Sequence, residues 1–425
     1  MINWFSPDHI AQWRAACVSD ATLAAFEGQW AISFAIQCDD RSVSFSFENG
    51  RVLPKEDDPA FTFAAPEPVW QQFLLPIPPR HHHVPLAMLA RVPEATLLGD
   101  KLAHAQHCHL LRRVVEIGKY VALGNVPPVP PTLRASLAKP DITTTARTVT
   151  VEIAGQTCEI HTETVGSGQD ILCLHTAGAD LRQFHRLMAD ERLTAQHRLT
   201  AFDLPWHGRS GPGPMPWRLT TDYYVAAIMA VITAAGLRRP IILGASMSGE
   251  ICLELAYRFP RAFRAIIACE AAEKITGRQV PYAFHPQVNQ ALFVPEWIHG
   301  LMAPQSPAEC AQEVLWHYGQ GGPGVFAGDI HFYAGEWDAS DRVGRIDTSE
   351  CPLFMLTGEY DYSCTTELSA ATAAKIPGVH YQPMPGIGHF PFAENPPRFL
   401  EFLLPILNGL PANQSRSSDR SVGAV

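Results

Sequence analysis

The sequence predicts an α/β protein with a mainly parallel sheet, preceded by a smaller α+β region. Short apolar segments typical of strands alternate with helical segments along the C-terminal part of the chain, which favours a parallel sheet covered by helices on both faces. A proline-rich segment at 123–145 precedes that region, and its prolines favour a semi-rigid linker. We therefore expect domains at 1–122 and 146–408 and a disordered tail at 409–425.

Composition argues against several classes of protein. The 425 residues are 47% hydrophobic and 17% charged, which suffices for large buried cores, and the net charge of −10 argues against a nucleic-acid partner. The N-terminus lacks the pattern of a signal peptide, and no apolar run approaches the roughly 18 residues that span a bilayer. Ten cysteines show no metal-binding spacing. We expect a cytoplasmic protein with no cofactor, metal or membrane span. The sequence leaves open whether the protein forms a homodimer.

The N-terminal region follows an antiparallel pattern. Alternating residues at 29–52 predict two or three strands with an Asn-Gly turn, and residues 58–66 predict another strand. Residues 67–76 predict a helix, and 95–121 predict a strand followed by a longer amphipathic helix. The pattern resembles a sterol-carrier-protein-type domain, and this resemblance implies a curved sheet and helices around an apolar tunnel. We favour a lid or a dimer interface over independent lipid carriage, which would need a preserved tunnel.

The C-terminal region opens with two alternating segments around Ala154 and Gly155, which predict a β-hairpin at one edge of the sheet. Helix and strand signals then alternate, with one long irregular segment after residue 270. The predicted strands are 170–176, 197–205, 239–246, 263–271, 351–359 and 380–386, and the predicted helices are 180–190, 220–236, 249–260, 363–376 and 396–407.

Ser246 lies between a predicted strand and a predicted helix, in the segment Leu243–Glu250 (LGASMSGE). A serine in so tight a turn has a strained backbone that lifts its hydroxyl clear of the sheet, and small neighbours relieve the crowding. Gly244 and Gly249 provide the space, although Ser248 stands where the second glycine of the G-x-S-x-G pattern belongs. The segment predicts a nucleophile, and the alternative is an ordinary strand–helix turn with an N-cap serine.

A serine hydroxyl needs a base and an orienting acid to act as a nucleophile. Asp361 follows a predicted strand, and His389 lies in a glycine-framed loop after the next strand. Because parallel strands end at the same sheet edge, both residues would meet Ser246 there. The order Ser, Asp, His predicts a catalytic triad. Two other acids are near this edge: Glu359 shares the acid's loop, and Glu270, which ends the preceding strand, is the alternative acid.

An oxyanion hole needs two backbone N–H groups, one after the nucleophile and one from a loop after an earlier strand. Met247 follows the serine, and the small residues of His175–Asp180 (HTAGAD) would let a backbone approach a ligand. We therefore expect the N–H groups of Met247 and Ala177 to bind the oxyanion. A tight connection with Asp180 as N-cap is compatible with the same role.

Five segments together resemble the α/β-hydrolase superfamily of serine hydrolases in order and spacing, over about residues 146–408: HTAGAD, FDLPWHGRS, GASMSG, LTGEYD and GIGHFPFAENP. The resemblance implies the α/β-hydrolase fold with a cap inserted at about 271–345, and a hydrolase activity that it does not specify further. It also implies that His175 and Asp203 brace loops.

The segment of the expected cap is rich in aromatic residues, which would suit a hydrophobic or aromatic group of a small-molecule substrate. Two residues of the core also depart from the family pattern and would alter the pocket, because Thr176 follows the loop histidine and Trp206 replaces a glycine. The candidate wall residues are Thr176, Trp206, Trp297, Trp316 and Tyr333.

Our first hypothesis is a serine hydrolase of a carboxylic ester or lactone, and amide or C–C bond hydrolysis on the same triad is the nearest alternative. A non-catalytic lipid-binding protein is a second hypothesis. A metal-dependent hydrolase is a third, because histidines cluster at 81–83 and at His104, His107 and His109, although no carboxylate or cysteine pattern completes a site.

Overall fold

The computed structural model describes residues 4–26, 30–53, 57–124, 142–275 and 281–411. Most of the predicted linker and of the predicted tail therefore lies outside the described residues, as does a short part of the expected cap. The described residues contain two sheets, one of five and one of eight strands.

The N-terminal region is an α+β unit, as expected. Its sheet has the order β3-β2-β1-β4-β5, in which β1 and β4 are parallel and the other neighbours are antiparallel. Aromatic side chains fill its interior, among them Trp13 and Trp70, which are fully buried. The elements are β1 (Ala31–Cys38), β2 (Arg41–Glu48), β3 (Arg51–Leu53), β4 (Phe61–Ala65) and β5 (Thr96–Gly99), with helices α1 (Pro7–Val18), α2 (Ala21–Ala24), α3 (Glu67–Phe73), α4 (Pro85–Arg91) and α5 (Lys101–Ala122).

The C-terminal region contains a mostly parallel sheet with the order β13-β12-β11-β10-β8-β9-β7-β6. The predicted hairpin is present, and its turn places Ala154 and Gly155 at φ +49° and +78°, as a tight antiparallel turn requires. The strands are β6 (Thr145–Ile153), β7 (Gln156–Gly166), β8 (Gln169–Leu174), β9 (His197–Phe202), β10 (Ile241–Ala245), β11 (Ala265–Cys269), β12 (Leu353–Gly358) and β13 (His380–Met384).

Helices cover both faces of this sheet and its C-terminal edge. The predicted helix at 180–190 is instead a 3₁₀ turn, Leu181–Phe184, followed by one turn of α-helix, because Asp180 caps the segment and Phe184 is buried under it. The helices are α6 (His185–Met188), α7 (Glu191–Thr194), α8 (Thr221–Ala234), α9 (Met247–Arg258), α10 (Gln290–Gly300), α11 (Ala308–Tyr318), α12 (Val325–His331), α13 (Thr366–Ala373), α14 (Pro391–Glu394) and α15 (Pro396–Gly409).

The strand register brings the predicted site residues to one edge. Strands β8, β10, β11 and β12 are parallel neighbours, and Gly244 pairs with Leu174 while Ala245 pairs with Cys269. Their C-terminal ends are therefore level. Among the described residues, no helix combines the length and apolar composition needed to cross a bilayer.

Candidate active site

Ser246 occupies the turn between β10 and α9 in a strained conformation. Its φ is +60° and its ψ is −126°, a combination that a residue with a Cβ atom rarely adopts. The N–H of Ser246 donates to the carbonyl oxygen of Cys269 at 3.1 Å, which ties the turn to β11. In the described part of the chain the Ser246 hydroxyl has no hydrogen-bond partner, and the residue lines a cavity.

The glycines around Ser246 explain why a serine at position 248 is tolerated. A Cβ atom on Gly244 would lie 2.7 Å from the Cβ atom of Ser248, and one on Gly249 would collide with the carbonyl oxygen of Cys269. Ser248 itself is fully buried, donates to the carbonyl oxygen of His175, and lies 2.6 Å from the hydroxyl of Tyr224. The close approaches therefore fall on Gly244 and Gly249, and position 248 has room for a hydroxyl.

His389 and Asp361 are directly hydrogen-bonded. The distance between His389 Nδ1 and Asp361 Oδ2 is 2.6 Å, and Asp361 is fully buried. The other oxygen of Asp361 accepts from the N–H groups of Ser363 at 2.7 Å and Cys364 at 3.2 Å, which fixes the carboxylate. His389 lines the same cavity as Ser246. This contact orients the imidazole so that Nε2 is free to act as a base.

Glu270 contacts Asp361 and not the imidazole. Both of its carboxyl oxygens lie 3.0 Å from the N–H of Gly358, and it shares a hydrogen bond with Asp361. Burial raises the pKa of Glu270 well above 4.5, and the negative charge of Asp361 raises it further. The raised pKa favours the protonated, neutral form of Glu270 beside Asp361. The carboxylate that meets His389 is that of Asp361.

Two further acids brace the loop of His389. Glu359 accepts from the N–H of Gly386 at 3.0 Å, so it links the acid's loop to the histidine's loop. Glu394, which our sequence reasoning missed, is fully buried and accepts from the N–H of Gly388 at 2.6 Å and from that of Ala303 at 3.1 Å. The sequence signal that could have identified Glu394 is its position as the one acid in the mostly apolar segment FPFAENP.

The N–H of Ala177, in the loop His175–Asp180, is open at the cavity. Within the described residues it has no acceptor, and Ala177 lines the cavity beside Ser246. The N–H of Met247 is the first of α9 and so has no acceptor within the helix. Three of the other loop N–H groups are occupied. That of Thr176 donates to Gln183 Oε1 at 3.0 Å, that of Gly178 to Asp329 Oδ2 at 2.7 Å and that of Ala179 to the carbonyl oxygen of Thr176 at 3.2 Å.

His175 and Asp203 connect neighbouring loops. The His175 Nε2 atom accepts from the N–H of Leu204 at 3.2 Å, so the imidazole is neutral, and burial lowers its pKa to about 4. Asp203 accepts from the N–H groups of Leu181 and Arg209, both at 2.8 Å. Burial raises the pKa of Asp203 to about 6. Both side chains make bracing contacts of the kind that the family resemblance implies.

The cavity lies between the carboxyl ends of the strands and helices α10–α12 and is small, with a volume of about 20 Å³, which is room for about one water molecule. Two of the five candidate wall residues, Trp297 and Tyr333, line it. The polar groups in its wall besides Ser246 and His389 include the Tyr333 hydroxyl, which lies 2.9 Å from Ser363 Oγ. The other lining residues are Ile298, Leu301, Tyr318, Phe326, Ile330 and Ser363.

The other three wall candidates lie outside that lining. Thr176 is buried behind the loop, where its hydroxyl lies 2.7 Å from that of Tyr318. The Trp206 indole donates to the carbonyl oxygen of Pro214 at 3.0 Å, and Trp316 is 53% exposed, with the guanidinium of Arg182 4.5 Å from its ring. Sequence could not separate these residues from Trp297 and Tyr333, because it does not show which face of a cap helix turns inward.

Two of the clustered histidines contact backbone carbonyl groups. His83 Nε2 lies 2.9 Å from the carbonyl oxygen of Gly300, and His107 Nδ1 lies 2.9 Å from that of Ala103. In the ranges that the structure describes, no group of three or more histidine, cysteine, aspartate or glutamate side chains could hold a metal ion.

Comparison with known proteins identifies the family. Residues 171–402 match the model of the alpha/beta hydrolase family, which is more than half of the chain, so the chain belongs to this family. An uncharacterized protein of Mycobacterium tuberculosis is 24% identical over 265 residues, which cover 56% of this chain and 75% of that protein. A pimeloyl-(acyl-carrier protein) methyl ester esterase of Yersinia enterocolitica is 21% identical over 250 residues, which cover 55% of this chain and 92% of the relative.

Solved structures show the same fold. An esterase from Thermogutta terrifontis superposes with a TM-score of 0.55 at 20% identity and covers 62% of this chain and 99% of its own. An enol-lactonase from Burkholderia xenovorans superposes with a TM-score of 0.54 at 17% identity and covers 61% of this chain and 100% of its own. Membership of the alpha/beta hydrolase family identifies the chain as a hydrolase.

Proposed function

We propose that this member of the alpha/beta hydrolase family is a serine hydrolase that cleaves a carboxylic ester or lactone of a hydrophobic or aromatic small molecule. The observation that carries the proposal is the 2.6 Å hydrogen bond between His389 and Asp361 at a cavity that Ser246 also lines. The similarity to an esterase and to an enol-lactonase favours ester and lactone bonds over the amide and C–C alternatives.

In the proposed reaction, Ser246 Oγ attacks the carbonyl carbon of the substrate while His389 Nε2 takes the hydroxyl proton. Asp361 fixes the imidazole in the tautomer that leaves Nε2 unprotonated, and it stabilises the imidazolium that forms. His389 then returns the proton to the leaving alkoxide. A water molecule, deprotonated by the same imidazole, releases the acyl group from Ser246.

Two N–H groups would stabilise the negative charge on the carbonyl oxygen. Those of Met247 and Ala177 are open donors on either side of Ser246, and the first of them also begins a helix, where the helix dipole favours an anion. Because both are backbone groups, no substitution removes them directly.

The cavity wall supports an apolar substrate. Aromatic and aliphatic side chains make most of the lining, among them Trp297, Leu301, Phe326 and Ile330. The hydroxyls of Tyr333 and Ser363 are the polar exception. We propose that they orient a polar atom of the substrate.

For the N-terminal region we propose a supporting role in the lid. The Arg112 guanidinium donates to both carboxylate oxygens of Glu296 on α10, at 2.6 and 2.8 Å, next to Trp297. Arg91 donates to the carbonyl oxygens of Tyr362 and Ser363, at 2.8 and 3.1 Å, directly after the catalytic acid. The region therefore holds both a cap helix and the acid's loop.

The expected domain limits at 1–122, 123–145 and 146–408, with the cap at 271–345, remain our proposal, as do the tail at 409–425, the cytoplasmic location and the homodimer. The sterol-carrier-like resemblance is a proposal about shape only, and the interior of the region is packed with buried aromatic side chains such as Trp13, Trp70 and Phe34.

A fluorophosphonate probe tests the proposed function. We expect stoichiometric labelling of Ser246 in the wild-type protein and none in S246A, and we expect turnover of at least one class in a panel of esters, lactones, amides and C–C substrates to fall by at least about 10⁴-fold in that variant. Unchanged near-UV circular dichroism of S246A controls for folding. Retained turnover in pure S246A contradicts the mechanism.

A further inference from the structure

Asp329 is a buried carboxylate that connects helix α12 to the core of the protein. It lies on α12 and is fully buried, and three groups of the core donate to it. Its Oδ2 atom accepts from the N–H of Gly178 at 2.7 Å and from His207 Nε2 at 2.9 Å, while its Oδ1 atom accepts from Trp217 Nε1 at 2.8 Å. A buried charge with so complete a set of donors is held in one position.

The partner His207 is an imidazolium. Its Nδ1 atom lies 2.9 Å from the carbonyl oxygen of Pro205, which can only accept, so Nδ1 carries a proton. Its Nε2 atom faces the Asp329 carboxylate and carries a proton as well. Burial alone would lower the pKa of His207, but the charge and hydrogen bond of Asp329 raise it above 6.5, with a smaller contribution from Asp203. The charge on His207 thus keeps Asp329 ionised and able to accept from Gly178.

Within the loop His175–Asp180, the residue bonded to Asp329 is adjacent to the one with the open N–H group. Gly178 follows Ala177, and its φ of +69° makes the sharp bend that separates the two N–H directions. Gly178 also packs against the cap, because a Cβ atom there would lie within 3.0 Å of the side chain of Phe326. Gly178, the residue after Ala177, is therefore held in place by contacts with α12.

We propose that Asp329 is a positioning residue for the oxyanion hole, which holds the N–H of Ala177 toward the substrate by anchoring Gly178 from the cap. The inference rests on the proposed function, because it assigns Asp329 to the donor that stabilises the oxyanion. It follows that the oxyanion hole is complete only while α12 is docked on the core. The cap then contributes to the chemical step as well as to substrate binding.

Asp329→Asn tests this role with little change of volume. In the variant, the amide oxygen still accepts from Trp217 and the amide nitrogen donates to a neutral His207, so the N–H of Gly178 loses its acceptor. We expect kcat for an ester substrate to fall by about 10- to 100-fold, somewhat less than the loss of a whole oxyanion donor, with KM changed by less than about threefold.

A transition-state analogue separates positioning from a general loss of structure. A trifluoromethyl ketone forms a tetrahedral oxyanion on Ser246, whereas the carboxylic acid product does not. We expect the inhibition constant of the ketone to rise in D329N in proportion to the loss of kcat/KM, and that of the acid to stay within about threefold. Equal weakening of both inhibitors, or an unchanged kcat in folded D329N, overturns the proposal.

Two variants serve as matched controls. Trp217→Phe removes another donor to the same carboxylate and leaves the bond to Gly178, and Glu336→Gln weakens a second contact between cap and core, to Thr221 at 2.7 Å. We expect both to lower the melting temperature and to keep the ratio of the two inhibition constants. A change of that ratio in E336Q as large as in D329N would contradict the proposal, since it would assign the effect to loosening of the cap.

The controls also separate this inference from the proposed function. If wild-type protein is not labelled by the fluorophosphonate at Ser246, the proposed function fails before Asp329 is tested. If labelling is normal in wild type and equally fast in D329N, the function stands and the role of Asp329 fails.

Discussion

Ser246 and Ser248 lie two residues apart in one turn, and the protein uses their hydroxyls in opposite ways. Ser246 has a strained backbone and an unpaired hydroxyl at the cavity. Ser248 is helical, fully buried and hydrogen-bonded to His175 and Tyr224. The residue type is the same, so the difference comes from backbone conformation and surroundings. The hydroxyl of Ser248 is occupied by structural hydrogen bonds, whereas that of Ser246 is at the cavity that His389 also lines.

Asp361 and Glu270 form a second pair of this kind. The two carboxyl groups interact, yet Asp361 meets His389 while burial and the charge of Asp361 raise the pKa of Glu270 well above its usual value. Like charges cannot both be carried at such close range in a buried site, so the protein divides the roles between an anion and a neutral acid.

The strongest test of the Asp361–Glu270 pair replaces each acid, one at a time, by the corresponding amide. Asp361→Asn removes the anion that orients His389, and we expect kcat to fall by about 10³- to 10⁴-fold. Glu270→Gln replaces a protonated acid by an amide that can still donate to Asp361 and accept from Gly358, so we expect a change below about threefold.

Steady-state kinetics on one ester measures both variants, with thermal unfolding as the control for folding. The reverse result, a severe loss in E270Q and a mild one in D361N, would assign the catalytic acid to Glu270.

The same pair predicts how stability depends on pH. Burial raises the pKa of Glu270 well above its value of 4.5 in the unfolded chain, so the folded state binds a proton that the unfolded state releases. Its stabilising effect is therefore complete below pH 4.5 and is lost as the pH rises toward the folded pKa. The amide introduced by Glu270→Gln has no such proton, so E270Q should gain stability relative to wild type by up to about 1.4 kcal/mol per pH unit above 4.5.

Urea unfolding of the two proteins at pH 5, 6, 7 and 8 measures this difference. A constant difference across that range would show that Glu270 is ionised in the folded protein and would remove the distinction between the two carboxyls.

The smallest effect is expected at Ser248. Ser248→Ala leaves the carbonyl oxygen of His175 and the hydroxyl of Tyr224 without their partner in a dry interior, which should cost about 1–3 kcal/mol of unfolding free energy. Because Ser248 does not touch the cavity, kcat should fall by less than about tenfold, in contrast to S246A. Chemical denaturation and ester kinetics measure the two quantities. A loss of turnover comparable to that of S246A would mean that the hydroxyl of Ser248 takes part in the reaction.

Sequence reasoning was successful for residues whose position in the fold is set by the end of a strand. The alternation of strands and helices predicted the parallel sheet, and the places of Ser246, Asp361 and His389 after strands predicted that they share an edge. The structure places Ser246 and His389 at one cavity, with Asp361 buried behind His389 and hydrogen-bonded to it, but their chemical roles stay a proposal until tested.

The sequence by itself determined the fold class, the nucleophile turn and the order of the candidate triad, because these depend on local pattern and on chain order. Tertiary structure alone decided which cap aromatics face the cavity, which carboxyl meets His389, and that Asp329 reaches the oxyanion loop. Gly178 and Asp329 are 151 residues apart. Such contacts depend on how the cap docks on the core, and no periodicity of the chain encodes that distance.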